Sequence, residues 1–383
     1  MWEPINRKAE YEAAGFLTRE EVTAAMDRVA DQVRCNMEYL GTRFPSSATR
    51  NQTYGVIDNI EWTDGFWTGL LWLCYEYTGD DAFKNLALKN VDSFLNRVEK
   101  RIELDHHDLG FLYSLSCVAG YKLTGSAEGR KAGLLAADKL MERFQEKGGF
   151  IQAWGKLGEE KEYRLIIDSL LNLPLLYRAF ELSGDARYYR IAETHYDRVI
   201  HNIVREDYST YHTFYFDKAT GNPKAGATHQ GFSDSSCWAR GQAWAILGMP
   251  LHRRLSGNGF TSEEESLYAG IVNYFETHLP ADGMPYWDLI FTDGSGEPRD
   301  SSALAVAACG MLEMGRTDRA EEMVHTLKKL ASSETEPQSE GILLHGVYAY
   351  AEGKGVDEPD LWGDYFYMEA LYRLWDPSWK TFW

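Results

Sequence analysis

The five cysteines of this 383-residue chain, Cys35, Cys74, Cys117, Cys237 and Cys309, are too few and too scattered to form a disulfide framework. No Cys-x-x-Cys pair and no His-x-x-x-His spacing occurs, so neither a zinc site nor a redox motif is written in the chain. Apolar runs are short, and none approaches the ~18 uninterrupted residues of a membrane span. The opening residues, Met1-Trp2-Glu3-Pro4-Ile5-Asn6-Arg7-Lys8, lack the apolar centre of a leader peptide, and the expected location is the cytoplasm. Positive charge is scarce as well. With 39 Lys and Arg against 58 Asp and Glu the formal charge is −19, and no basic stripe exists to displace counterions from nucleic acid. Gly-x-Gly-x-x-Gly, Walker and Gly-x-Ser-x-Gly sequences are missing, which removes dinucleotide, P-loop and serine-hydrolase chemistry. No metal and no cofactor is expected.

What the chain has in quantity is aromatic surface: 12 Trp, 23 Tyr and 17 Phe. A Trp-rich core accounts for most of it, but aromatic faces also suit the C–H surfaces of sugar rings.

A punctuation mark recurs along the chain: Thr78-Gly79-Asp80, Thr124-Gly125-Ser126, Ser183-Gly184-Asp185, Ser256-Gly257-Asn258 and, more loosely, Gly315 with Thr317. Glycine suits the left-handed residue that closes a helix, and the polar residue after it caps the next one. Before each mark lies a helix apolar nearly all round, at roughly 65–77, 109–123, 165–182, 237–255, 301–314 and, without a following mark, 363–375. After each mark lies an amphipathic helix, at roughly 80–102, 126–146, 185–204, 262–278 and 317–333; residues 19–43 supply a sixth. Six inner and six outer helices predict an all-α (α/α)6 barrel. The alternation is continuous and no linker interrupts it, so residues 1–383 read as one domain.

In such a ring the N-terminal ends of the inner helices share one face, and the unusual polar motifs fall there. The segments feeding that face are also the long ones, 205–236, 279–300 and 334–362. Helix capping suffices to explain Asp64, Asp300 and Asp364. For Asp108 capping and function compete, since no cap requires the adjacent His106 and His107, which point to different faces and cannot easily share an ion. Asp168 stands alone in the apolar run 165–176. Burial would raise its pKa and make it a usable general acid, unless it merely caps a helix beginning at Ser169. His212 and His229 are single loop histidines, each as compatible with structure as with catalysis. Arg240 opens an apolar helix and needs an anion, from the protein or from a substrate.

Glu61-Trp62-Thr63-Asp64-Gly65-Phe66-Trp67, the stretch from Leu104 to Ser114 around Asp105-His106-His107-Asp108, and the stretch Ile166–Leu176 resemble the unsaturated glucuronyl hydrolases of glycoside hydrolase family 88. So do Ser209–Asp217, Thr228-His229-Gln230-Gly231, Arg240-Gly241-Gln242-Ala243-Trp244, Arg299–Ala303 and Leu361–Tyr365. The resemblance runs in order from about residue 20 to 375. It implies that Asp168 is the general acid and base, that Asp108 is a second essential carboxylate orienting the sugar, and that His212 lies near the acid. It places Trp62, His107, Gln230, Arg240 and Trp244 around an unsaturated uronate, with His229 beside them. Ser378-Trp379-Lys380 resembles part of a sulfate-contacting segment, with Trp375 where a further Ser would stand, so sulfate contact from Ser378 and Lys380 is an open expectation. The implied partner is an unsaturated glycosaminoglycan oligosaccharide, and the chain is read as a monomer or homodimer. An unsaturated rhamnogalacturonyl hydrolase, a sugar epimerase or isomerase on the same barrel, and a non-catalytic sugar-binding protein remain as alternatives.

Overall fold

The structure is a computed structural model and describes residues 17–383; the opening residues read above as lacking a leader lie outside that range. The chain alternates between two kinds of helix. The amphipathic ones are α1 (Arg19–Leu40), α3 (Asp81–Glu99), α5 (Ala127–Met141), α7 (Ala186–Ile203), α9 (Ser262–Thr277) and α11 (Thr317–Ala331). The buried ones are α2 (Asp64–Thr78), α4, α6 (Leu173–Ser183), α8 (Ala239–Ser256), α10 (Ser301–Glu313) and α12 (Leu361–Trp375). Helix α4 is continuous from Leu109–Tyr113 through a π-helical stretch, Ser114–Val118, into Ala119–Thr124.

Periodicity explains the division. α7 buries Tyr188, Ile191, Ala192, His195, Tyr196, Val199, Ile200 and Ile203, a stripe at three- and four-residue steps. α10 instead buries every residue from Ser301 to Met311, and much of that surface is Ala or Gly. A Cβ on Gly310 would stand 2.5 Å from the Ile246 carbonyl oxygen, so only glycine lets α8 and α10 approach this closely. Each buried helix packs on the next, and α12 returns to pack on α2. The predicted turns stand where expected: Gly79, Gly125, Gly184 and Gly257 are left-handed helix stops, and Asp80, Ser126 and Asp185 cap the helices that follow.

The all-α expectation needs correcting at one end of the helices. Among the described residues, nine short strands form four antiparallel sheets: β1 (Phe44–Pro45) with β2 (Val56–Ile57), β3 (Phe144–Gln145) with β4 (Phe150–Ile151), β5 (Arg164–Ile166) with β6 (Thr213–Phe216) and β7 (Pro223–Ala227), and β8 (Gly346–Ala349) with β9 (Lys354–Glu358). All lie in the long segments leading to the N-termini of the buried helices. Strands this short carry little periodic signal, which is why the sequence reads as loop there. The expected helix at 165–182 also changes character: it begins as strand β5, turns through a 3-10 segment at Ile167–Leu171, and becomes α-helix at Leu173. Among the described residues, no helix is long and apolar enough to cross a membrane.

Candidate active site

Asp168 sits in the 3-10 turn between β5 and α6. It is not a helix cap, because its carboxylate accepts no backbone N–H there. Three contacts fix the turn. The Ile167 N–H donates to the His212 carbonyl (3.1 Å). The Ser169 hydroxyl donates to the Ile166 carbonyl (2.6 Å) and receives the Nε2–H of buried His195 (2.8 Å), whose Nδ1 accepts from the Ile151 N–H (2.9 Å). The Asn172 side chain donates to the Asp168 carbonyl (3.3 Å) and accepts from the Phe111 N–H (3.0 Å). Asn172 thus ties the Asp168 turn to the start of α4, where Asp108 stands. Gly110 makes that approach possible, since a Cβ there would lie 2.3 Å from the Asn172 Cα.

His107 lies between the two carboxylates. Its Nε2 is 3.3 Å from Asp108 Oδ1 and 3.3 Å from Asp168 Oδ1, and its ring is buried. His106 flanks Asp108 from the other side: its Nδ1 meets the Asp108 N–H and lies 3.1 Å from Asp108 Oδ2, and its Nε2 meets the Glu103 carbonyl. Both adjacent histidines therefore contact the Asp108 carboxylate, and His107 alone also reaches Asp168.

The electrostatics separate the two acids. Burial pushes the Asp168 carboxyl above its ordinary value, and the opposing pull of His107 does not cancel that. Asp108 also feels burial, but His107 and then His106 hold it well below the usual carboxylate range. Burial disfavours charge on His107, yet Asp108 and Asp168 together raise its pKa to about 10. This sets an Asp108–His107 ion pair beside an Asp168 carboxyl that burial biases toward its protonated form. Two carboxyls driven apart in this way can take different parts in proton transfer. His107, Asp108 and Asp168 are also the group of described residues whose ligand atoms converge, within 4.8 Å, closely enough for a cation.

His212 enters β6 beside Asp168. Its Nδ1 accepts from the N–H groups of His229 (2.8 Å) and Gln230 (3.2 Å), and burial drives its pKa well below the ordinary value. It is a neutral imidazole that fixes the 228–231 turn. His229 is half exposed and pairs with Glu352 (3.4 Å).

Arg240 finds its anion inside the protein. Its Nη1 donates to Asp300 Oδ2 and the Val347 carbonyl, both at 2.7 Å, and its Nη2 to the Tyr348 carbonyl (2.8 Å) and Gln230 Oε1 (3.1 Å). Through these four Nη contacts Arg240 joins three segments, those carrying Gln230, Asp300 and Val347–Tyr348. Trp62 is only partly buried, stacks on Trp362 (5.2 Å between centroids) and donates its indole N–H to the Tyr348 hydroxyl (2.7 Å). Trp244 is buried behind Phe111 and Phe366, so it is floor rather than sugar-contacting face.

Three aspartates assigned to capping behave differently from one another. Asp300 caps α10 and also holds Arg240. Asp64 does not cap α2; it pairs with buried Arg97 (3.3 Å) and accepts the Glu61 N–H. Asp360 caps α12 in place of Asp364, which accepts from the N–H groups of Ile342 and Leu343 and from the Tyr54 hydroxyl. Trp154, Arg164 and Tyr348 border the site and were not singled out in the sequence. The Arg164 guanidinium covers the Trp154 ring at 4.5 Å, and Trp154 lies 5.5 Å from His229. A Trp between Gln152 and Gly155 in a long loop was the available signal.

Ser378 and Lys380 require a correction. They follow the C-terminal end of α12, whereas the site lies at the N-terminal ends of the buried helices. Fifteen residues of helix put about 22 Å between those ends. Ser378 hydrogen-bonds Asp376, and the Lys380 carbonyl receives Lys122 Nζ (2.9 Å), so this segment closes the opposite end of the ring and does not reach the site.

The sequence profile of Glycosyl Hydrolase Family 88 matches residues 40–281. The chain belongs to that family. An unsaturated chondroitin disaccharide hydrolase of Streptococcus pneumoniae is 51% identical over 382 residues, covering 96% of this chain and 95% of its own. An unsaturated glucuronyl hydrolase of Bacillus sp. (strain GL1) is 43% identical over 352 residues, covering 88% and 93%. The crystal structure of unsaturated glucuronyl hydrolase from Streptococcus agalactiae superposes with a TM-score of 0.93 at 48% identity, each chain covered fully. In this family 88 chain, then, the His107-centred acid pair occupies a glycoside hydrolase scaffold.

Proposed function

We propose that this protein is an unsaturated glucuronyl hydrolase, one (α/α)6-barrel domain that releases a 4,5-unsaturated uronic acid from the non-reducing end of a glycosaminoglycan oligosaccharide. The observation that carries the reading is His107 set between two carboxyls, 3.3 Å from each, with Asp168 pushed upward by burial and Asp108 held well below the usual carboxylate range. Relatives support the substrate class. The S. agalactiae enzyme has been captured with dGlcA-GalNAc6S, and a second solved relative, 41% identical, with dGlcA-Glc-Rha-Glc. Two aspartate-to-asparagine variants of the S. agalactiae enzyme have the same spacing along the chain as Asp108 and Asp168.

The chemistry follows from a vinyl ether meeting a carboxylic acid. Asp168 gives its proton to C4 of the double bond, leaving a cation shared by C5 and the ring oxygen. A water adds at C5 and returns a proton to the Asp168 carboxylate. The resulting hemiketal opens, and the bond to the leaving sugar breaks with it. A single carboxyl serves twice, unlike the paired carboxyls that attack an anomeric carbon in ordinary glycosidases. Asp108, fixed by His107, accepts sugar hydroxyls; Gln230 donates to the uronate; Trp62 supports the ring.

Turnover of an unsaturated chondroitin disaccharide removes the alkene and its ultraviolet absorbance, while the saturated disaccharide of the same composition stays intact. Equal cleavage of both would mark a conventional glycosidase, and faster cleavage of an unsaturated rhamnogalacturonan disaccharide would move the enzyme to the pectin-directed class. A rearranged sugar without cleavage would mark an epimerase.

A further inference from the structure

We propose that the surface formed by Phe232, Ile290 and Tyr350 is a subsite for the ring faces of the leaving oligosaccharide beyond the sugar bonded to the uronate; the proposal rests on the unsaturated-uronate reading of the site. Three loops build this surface, and those carrying Phe232 and Tyr350 run outward from Arg240. Gln230, held by Arg240 Nη2, precedes Phe232 by two residues; Tyr348, whose carbonyl meets the same nitrogen, precedes Tyr350 by two. Two residues of extended chain span only ~7 Å, so the surface borders the site directly.

The exposure is large for aromatic and aliphatic side chains: 57% for Phe232, 45% for Ile290 and 38% for Tyr350. It is also held in place. The buried carboxylate of Asp288 accepts from the Phe232 N–H (2.8 Å), the Ser236 hydroxyl (2.7 Å) and the Ile290 N–H (3.1 Å). Tyr350 stacks on buried Trp287, with centroids 4.2 Å apart and planes 13° from parallel, and Phe291 packs edge-on to Phe232 at 5.2 Å. Asp288 thus fixes the backbone that presents Phe232 and Ile290. Beside it, the half-exposed His229–Glu352 pair joins the same two loops and offers partners to hydroxyl groups. Aromatic surface flanked by polar groups, continuous with a sugar site, suits the apolar faces of further sugar rings.

The test compares an unsaturated disaccharide with the unsaturated tetrasaccharide of the same repeat, using the full chain and its Phe232→Ala variant, in which only an exposed side chain is removed. The tetrasaccharide KM should rise about five-fold in the variant, with kcat unchanged and disaccharide kinetics within about two-fold. Binding of both oligosaccharides to Asp168→Asn and to Asp168→Asn/Phe232→Ala should show the same length dependence without turnover. An equal effect on both lengths, or none on either, overturns the subsite while leaving the uronate reading intact. Failure of the wild-type chain to cleave either substrate removes the reading beneath it and the subsite together.

Discussion

The two ends of the helix ring are built from the same six buried helices and differ in nearly everything else. At the C-terminal ends the connections are tight glycine turns, and the buried charges are paired off: Arg373 binds Glu369 and Glu313, and Glu369 also receives the indole N–H of buried Trp383. At the N-terminal ends the connections are long and carry all four small sheets, and His107 Nδ1 and Nε2 and Asp168 Oδ1 are buried without a well-aligned hydrogen-bond partner. Unsatisfied polar groups cost stability, so a fold tolerates them where a ligand will complete them. The buried charges around Arg373 are paired, whereas His107 and Asp168 keep polar atoms open to a ligand.

The sharpest way to break this comparison is to remove the acid. Asp168→Asn keeps the shape of the side chain but can neither give a proton to C4 nor take one from water. Its kcat should fall by ~10²–10⁴-fold, while binding of unsaturated disaccharide, read by calorimetry, survives. Retention of more than about a tenth of kcat would hand the acid role to Asp108.

Arg240 is next in size. Arg240→Met strands the Asp300 carboxylate in a buried place and cuts the ties to residues 347, 348 and 230. A buried pair broken at one partner typically costs ~3–5 kcal/mol, so denaturant unfolding should show a loss of that order together with a raised KM. A KM effect with full stability would mean that Arg240 serves the uronate directly.

Asp108→Asn sharpens the electrostatic part. The Asp108 charge raises the pKa of Asp168 directly, and it also supports the His107 cation that lowers it. Asp168 itself supports the same cation, so removing Asp108 takes away the direct repulsion while His107 stays charged, and the Asp168 pKa falls. The active form is the protonated one, present below that pKa and lost as pH rises through it. The alkaline limb of kcat/KM should move to lower pH in the variant, on top of a reduced rate; a limb that stays in place would separate the two carboxyls.

How much of this could be read in the chain depended on scale. Helix alternation was legible because full turns of apolar or amphipathic pattern repeat six times, and the glycine stops were legible because left-handed residues at helix ends favour glycine. The pairing of Asp108 with Asp168 was carried by family resemblance; the contacts that create it, Asn172 across Gly110 and His195 beneath Ser169, join residues far apart in sequence. The strands were too short to show a period. Arg240 was left open between two anions, and only the fold could bring Asp300 to it. Ser378 and Lys380 were misplaced because a short motif says nothing about which end of a helix ring it occupies.

That last correction gives the smallest expected effect. Lys380→Ala changes an exposed side chain at the closed end, so stability should stay within about 0.5 kcal/mol, and the ratio of rates on sulfated and unsulfated disaccharides should not move. A selective loss on the sulfated substrate would return Lys380 to the site.

The central claim is that one carboxyl at the open end is an acid while its neighbour is an anion. Carbon-13 NMR titration of labelled aspartate carboxyls, with Asp168 and Asp108 assigned through their Asn variants, reads this directly. The account predicts that Asp168 takes up its proton above the ordinary carboxylate range while Asp108 stays ionised well into acid. An Asp168 signal that remains ionised down to the pH where Asp108 protonates would contradict it.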